Sequence, residues 1–254
     1  MPHPLAWCHE QLILMHANAN VGHLGGNLSC IDAIYHTFGV LHPNDRFILS
    51  KGHSAGALYV TLAAYHIIPS AWLDTFHQDN TKLPGHPPAN TLEAIPFATG
   101  SLGHGLSLAA GFALSQRMRH TTQQTFCLTS DGEWQEGSTW EALIFLCHHK
   151  LSNLTILIDN NGWQGFGSTT HVASMHDLAE KLSAFAIEIT SVDGHDAAAV
   201  THALRQQSHA PRCILLNTTK GRNIPDFADT LQSHYLPPTP TQVTEALSYL
   251  HGAS

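Results

Sequence analysis

Apolar and polar positions along the chain alternate between a helical and a strand-like period. Residues 5–20 carry apolar side chains at roughly helical spacing and run into the glycines of VGHLGG, which predicts a first helix ending there. A second helix is predicted over 29–38, with Ser29 supplying the capping hydroxyl. The short apolar run FILS after LHPNDR reads as a strand and leads through KGHSAG into an apolar helix reaching Ala64. Residues 72–96, which include LPGHPP, show no strong periodicity and read as a long loop over a surface or mouth. Small residues then predict a closely packed helix over 103–118.

The second half repeats one theme. FCLTS and residues 154–158 read as strands on either side of a helix at 137–149, whose apolar positions on most sides predict burial, in this chain or against another subunit. Residues 187–192 followed by DGHD, and 213–218 followed by KGRN, repeat the strand and polar turn with a helix at 197–207 between them. A proline-rich connection from Leu236 precedes a short helix at 241–250. Strands alternating with helices, with polar residues at the strand ends, predict an α/β fold: a doubly wound parallel sheet with helices on both faces. Residues 1–254 are expected to form a single domain, with 236–254 as a C-terminal extension, and two small domains are the less plausible division.

Composition narrows the functional classes. A formal charge of -8, from 11 Lys and Arg against 19 Asp and Glu, leaves no basic face for nucleic acid or an anionic membrane. No apolar run approaches a membrane span, and the amino terminus lacks a basic, then apolar, leader pattern. Cys8, Cys30, Cys127, Cys147 and Cys213 have no CxxC spacing and read as small buried hydrophobes, which fits a reducing, cytoplasmic setting. The 21 histidines are unusual, yet no HxxxH spacing turns them into a zinc site. Outside glycine-rich turns they are read as surface residues.

The stretch 129–167 carries the chemistry. It reads as a strand ending in the acidic turn SDGEWQEG, a crossover helix, and a second strand ending in the amide-rich turn DNNGWQG. Two such turns at one edge of a parallel sheet bring Asp131 and Asn161 together, where hard oxygen ligands suit Mg²⁺ and leave positions for phosphate oxygens. Neighbouring glycines let backbone N–H groups approach a diphosphate. Taken singly, an Asp-Gly or a DNN turn is more often an ordinary loop.

Asp131-Gly132, 27 intervening residues and Asn160-Asn161 are similar to the thiamine diphosphate motif, and EGSTWEA followed by HHKLSNLTILIDNNGWQ resembles its transketolase form. VGHLGG, DRFILSKGHSAGALY, LPGHPP, TGSLGHGLSLAAG and TTKGRNIP resemble transketolase blocks in their usual order, all from the amino-terminal, diphosphate-binding half. The resemblance implies Mg²⁺, or another divalent cation, on the side chains of Asp131 and Asn161 and the backbone oxygen of Trp163. It implies thiamine diphosphate beside Gly132 and Glu133, with the turn Gly100, Ser101, Leu102 and Gly103 binding the cofactor and Gly103 passing its pyrimidine. His23, His53, His86 and His234 would line the mouth and exchange protons with sugar hydroxyls, His53 and His234 also touching phosphate. Glu136 and Glu141 resemble glutamates at a subunit interface. Three positions depart from the family pattern: Ser130 stands where Gly is usual, His104 where Gln is common, and His234 lies in QSHYLPP in place of a WHG setting.

The activity implied is transfer of a two-carbon ketol unit from a ketose (phosphate) to an aldose. In this family the glutamate that activates the cofactor lies in a pyrimidine-binding domain, and this sequence stops at Ser254 without one. The expectation is therefore one subunit of a split transketolase, an α₂β₂ assembly with a separate pyrimidine-binding subunit. Two other readings stay open: a subunit of another thiamine diphosphate carboligase, such as a deoxyxylulose phosphate synthase or a secondary-metabolic enzyme, and a non-catalytic regulatory subunit.

Overall fold

The computed structural model describes residues 1–252, so the last two residues of the expected C-terminal extension lie outside the described residues. The chain opens with α1 (Leu5–Ala19) and α2 (Leu24–Phe38), then β1 (Arg46–Leu49), α3 (Ala55–Ala64) and α4 (Gly105–Met118). Next come β2 (Thr125–Ser130), α5 (Gly137–His148), β3 (Leu154–Asn160) and the small hairpin β4 (Trp163–Gln164) and β5 (Gly167–Ser168). After the short α6 (Thr169–Ala173) and α7 (Leu178–Ser183) follow β6 (Glu188–Asp193), α8 (Ala197–Arg205), β7 (Arg212–Asn217), α9 (Gln232–Tyr235) and α10 (Pro240–Gly252).

Five strands form one parallel sheet in the order β1-β2-β3-β7-β6. Its strands alternate strictly between two cores, as the two-residue period of a strand requires. Phe47, Leu49, Phe126, Leu128, Leu157, Ile214 and Leu216 face one core, which they share with α1, α2, α3 and α8. Ile48, Cys127, Ile156, Ile158, Cys213 and Leu215 face the other, with α4, α5 and α7. The chain steps from β2 to β3 over the second face and from β6 to β7 over the first. Its direction across the sheet thus reverses between β3 and β7, where α/β sheets open a crevice beyond the strand ends.

Most predicted elements lie within a few residues of their expected bounds, with one clear shift. The second helix begins at Leu24, not Ser29, with His23 at its N-cap in a left-handed conformation (φ 66°). Its first-turn glycines are there for packing: a Cβ on Gly25 would lie 2.4 Å from Ser233 Oγ. Within this chain helix α5 is partly enclosed: Ala142, Leu143 and Leu146 are buried while Ile144 and Phe145 are exposed. The tail is not loose, because Ala246 of α10 is fully buried and Val243 packs on the first core. The five cysteines are free and, Cys147 apart, buried, and among the described residues no helix is long and apolar enough to cross a membrane.

The histidines outside the glycine-rich turns are not all on the surface. His9 and His16 are buried, and His195 is nearly so. His9 Nε2 and His195 Nδ1 lie 2.6 and 2.9 Å from the Asp32 carboxylate, which also accepts from Arg222 at 2.6 Å. Burial works against the charge on Asp32, but His195 and His9 outweigh it and hold its pKa well below the ordinary range. His16 Nδ1 donates to the Leu12 carbonyl at 2.9 Å. Burial, only partly offset by that bond, lowers its pKa from 6.5 to about 4. Between those values the unfolded chain binds a proton that the folded protein refuses, so stability falls as pH drops through the window. A gap of roughly 2.5 units at about 1.4 kcal/mol each costs up to about 3.5 kcal/mol. Urea unfolding from pH 7.5 down to 4.5 should show this loss, and His16→Leu should make the profile shallower, the other histidines of lowered pKa still contributing; an equally steep profile in the variant would exonerate His16.

Candidate functional site

The site is built where β2 and β3 end. Ser130 pairs with Asp159 in the sheet register, so the turns that follow leave side by side. The Asp131 carboxylate accepts from Gly132 N–H at 2.8 Å and, across the gap, from Gly162 N–H at 2.6 Å, which joins the two turns. Burial first, and the nearby Asp159 charge second, push its pKa up from 3.8 to about 7. A carboxylate in such a place gains from a cation at its remaining lone pairs. Asn161, also buried, turns its Oδ1 to Trp163 N–H at 2.9 Å and its Nδ2 to Asp159 Oδ2 at 2.9 Å.

A cavity of about 310 Å³ opens beside this pair. Of the residues singled out in the sequence, His53, His86, Gly100, Leu102, Gly132, Glu136, Asn161, Trp163 and His234 line it. His23 adjoins them, its ring centroid 4.9 Å from that of His234, 5.9 Å from His53 and 6.0 Å from His86. Burial is the first cause of a lowered pKa in all four: to about 4 in His23, to about 3 in His234, well below the ordinary value in His53, and downward in His86. The positive charge of Lys220 adds to this in His23, His53 and His234. These imidazoles are therefore neutral at pH 7, a state able to take a proton from a hydroxyl and return it.

Other predicted residues are placed differently. Glu133, expected beside a diphosphate, is wholly buried and does not reach the cavity. Its carboxylate accepts from Ser50 Oγ, from Gly103 N–H at 2.8 Å and from Ser130 N–H at 3.3 Å, so it ties the ends of β1 and β2 to the turn before α4. Ser130, the departure from glycine, completes that arrangement by accepting from Glu133 N–H at 3.2 Å. Ser130 and Glu133 thus bond reciprocally, as in a helix capping box. Gly103 is held at φ 83°, and a Cβ there would lie 2.3 Å from Ser138 Oγ. Ser101 and Glu141 are exposed outside the cavity, Glu136 lies at its rim, and His104 is exposed.

Sequence reasoning gave no role to two lysines and an aspartate that the fold brings to the site. Lys51 and Asp159 form an ion pair with both side chains fully buried. Burial works against both charges, but each partner outweighs it, holding Lys51 above and Asp159 below its ordinary pKa. Lys220, 1% exposed, lines the cavity with its Nζ 3.3 Å from His234 Nδ1. Among the described residues no carboxylate lies within ion-pair distance of Lys220. Burial, then the charge of Lys51, lowers its pKa to about 8. The available signal was the presence of these residues inside SKGH, DNN and TTKGR. A lysine reads as solvated until tertiary structure shows it enclosed.

A buried oxygen pair at adjacent strand ends, beside an ammonium that has no carboxylate within ion-pair distance among the described residues and four neutral imidazoles, could hold a metal and a diphosphate. A model of the family "Transketolase, thiamine diphosphate binding domain" matches residues 16–250. The chain belongs to that family. One relative, a subunit of the apulose-4-phosphate transketolase of Actinobacillus succinogenes, is 33% identical over 95% of this chain and 92% of its own length. A "6-deoxy-6-sulfo-D-fructose transketolase subunit SqwG" of Clostridium sp. is 36% identical over 84% of this chain and 82% of its own. The crystal structure of transketolase from Campylobacter jejuni superposes with a TM-score of 0.89 at 27% identity, covering 97% of this chain. The chain spans 42% of the length of that transketolase. The doubly wound parallel sheet expected from the strand pattern is thus the thiamine diphosphate-binding fold of transketolases.

Proposed function

We propose that this chain is the diphosphate-binding subunit of a two-chain, thiamine diphosphate-dependent transketolase. The observation that carries the reading is the buried Asp131 carboxylate, bonded across to the Asn161 turn beside the cavity that Lys220 and His234 line. Asp131, the Asn161 amide oxygen and the Trp163 backbone oxygen would hold Mg²⁺ or a similar divalent cation. Lys220 and the backbone at Gly132 would hold the diphosphate. When bound, thiamine diphosphate supplies the electron sink that transfer of a two-carbon ketol unit requires.

The residues of this chain do the rest by position. His23, His53, His86 and His234, held neutral by their lowered pKa values, accept and return protons of sugar hydroxyls at the mouth. Glu133 holds Gly103 and the end of β2 in place, which keeps the Gly100 to Gly103 turn against the cavity. The substrate is a ketose, phosphorylated or similarly anionic, with an aldose acceptor. The relatives' names carry two different ketoses, so the donor is left as that class.

The partner is a separate pyrimidine-binding chain in an α₂β₂ assembly, a reading supported by near-full-length relatives that are themselves named as subunits. Glu136 and Glu141, with the exposed Ile144 and Phe145 on the same helical region, would face a neighbouring subunit. Five free cysteines support a reducing, cytoplasmic setting. The test is a ketol-transfer assay with thiamine diphosphate and Mg²⁺, with and without a pyrimidine-binding partner chain. Activity is expected only from the mixture, and full activity from this chain alone would sink the two-chain claim.

A further inference from the structure

Asp159 and Asn161 sit two residues apart at the end of β3, so the strand's period turns both side chains to the face that carries Leu157 and α2. Asn160, between them, points the other way and donates to Asn217 Oδ1 at 2.9 Å. On the inner face, Asp159 Oδ2 accepts from Lys51 Nζ, from Ser29 Oγ at 2.6 Å and from Asn161 Nδ2 at 2.9 Å. Its Oδ1 accepts from Thr218 Oγ1 at 2.5 Å. Ser29 Oγ also accepts from Asn161 Nδ2, at 3.2 Å, so both amide hydrogens have partners.

An amide has an acceptor end and a donor end, and only the acceptor end binds a cation. Turned over, Asn161 would set its NH₂ against Trp163 N–H and its oxygen against the Asp159 carboxylate, two mismatches in a buried site. We infer that Asp159, anchored by Lys51 and Ser29, is a positioning residue that fixes which end of the Asn161 amide faces the metal position. The inference rests on the reading of Asn161 as a ligand. It gives the buried ion pair a role that stability does not require, since apolar pairs of similar volume commonly replace buried ion pairs at little cost.

The decisive variant is therefore Lys51→Met with Asp159→Leu, which removes both charges together and leaves the net charge unchanged. Mn²⁺ binding to the full chain is measured by electron paramagnetic resonance at saturating thiamine diphosphate, with circular dichroism and melting as controls for folding. The double variant is expected to stay folded and to bind Mn²⁺ about 10 to 100 times more weakly, the usual cost of losing an outer-shell partner. Ser29→Ala, which keeps the ion pair, is expected to weaken binding by less. A folded double variant with wild-type affinity overturns the inference; if the double variant does not fold, wild-type affinity in Ser29→Ala overturns it. Asp131→Ala separates the two readings. If it loses binding while the double variant keeps it, only the positioning role falls. If it binds Mn²⁺ as wild type does, or wild type binds none, the ligand reading falls and takes this inference with it.

Discussion

Asp131→Ala is expected to abolish Mg²⁺-linked binding of thiamine diphosphate while leaving the fold native by circular dichroism. Asp131 is the only ionisable side chain among the three proposed metal ligands, and burial with the neighbouring Asp159 charge already strains its ionised form, raising its pKa to about 7. A divalent cation at the site reverses that strain, so the carboxylate and the metal stabilise each other. Loss of even an outer-shell partner costs about 10 to 100 times in metal affinity, so loss of the charged ligand should cost on the order of a hundredfold or more. Two hydrogen bonds to Gly132 and Gly162 disappear as well, but both are at turns near the cavity and the sheet does not depend on them. Calorimetric titration with Mg²⁺ and thiamine diphosphate measures the effect, and an unchanged affinity would refute the ligand assignment.

Lys51→Met should produce the largest loss of stability in the protein's polar interior. It leaves Asp159 fully buried and close to Asp131 without its paired cation, and Lys220 acts on it only from beyond ion-pair distance, so Asp159 must stay charged in a poor setting or take up a proton. Breaking a buried pair by removing one partner costs about 3 to 5 kcal/mol. In a chain of this size that corresponds to a fall in melting temperature on the order of 10 °C. The Gly26 carbonyl, which also accepts from Lys51 at 3.0 Å, keeps a partner in Ser54 Oγ at 2.8 Å, so the effect is chiefly electrostatic. Thermal unfolding of the purified chain decides it: a shift below about 1 kcal/mol, the surface-pair scale, would mean that water reaches Asp159.

The architecture was legible because its signal is local. Strands such as FCLTS and the residues leading to Ile158 are short apolar runs that a parallel sheet buries on both faces, and the polar turns after them mark the edge where chemistry collects. The same logic sets Asp131 and Asn161 on neighbouring turns, which the Gly162 N–H bond to Asp131 joins. Where local rules misled, tertiary packing had overridden them. Ser29 reads as a cap, yet it lies in the middle of α2 with its hydroxyl committed to Asp159, 130 residues away. Glu133, which the resemblance sets beside the diphosphate, turns its side chain inward to Ser50 and Gly103, a placement that only the folded chain shows.

The sequence by itself determined the period of each element, the parallel sheet and the two turns at its edge, because these follow from patterns of neighbouring residues. It also determined the family, through motifs spread over the chain. Only the tertiary structure decided which charged and titratable side chains are enclosed. Lys51, Asp159 and Lys220 look like ordinary surface residues, and His9 and His16 like spare histidines, until segments far apart in the chain close over them. Burial sets their charge states and partners, and it is a property of the packed whole that no stretch of sequence carries alone.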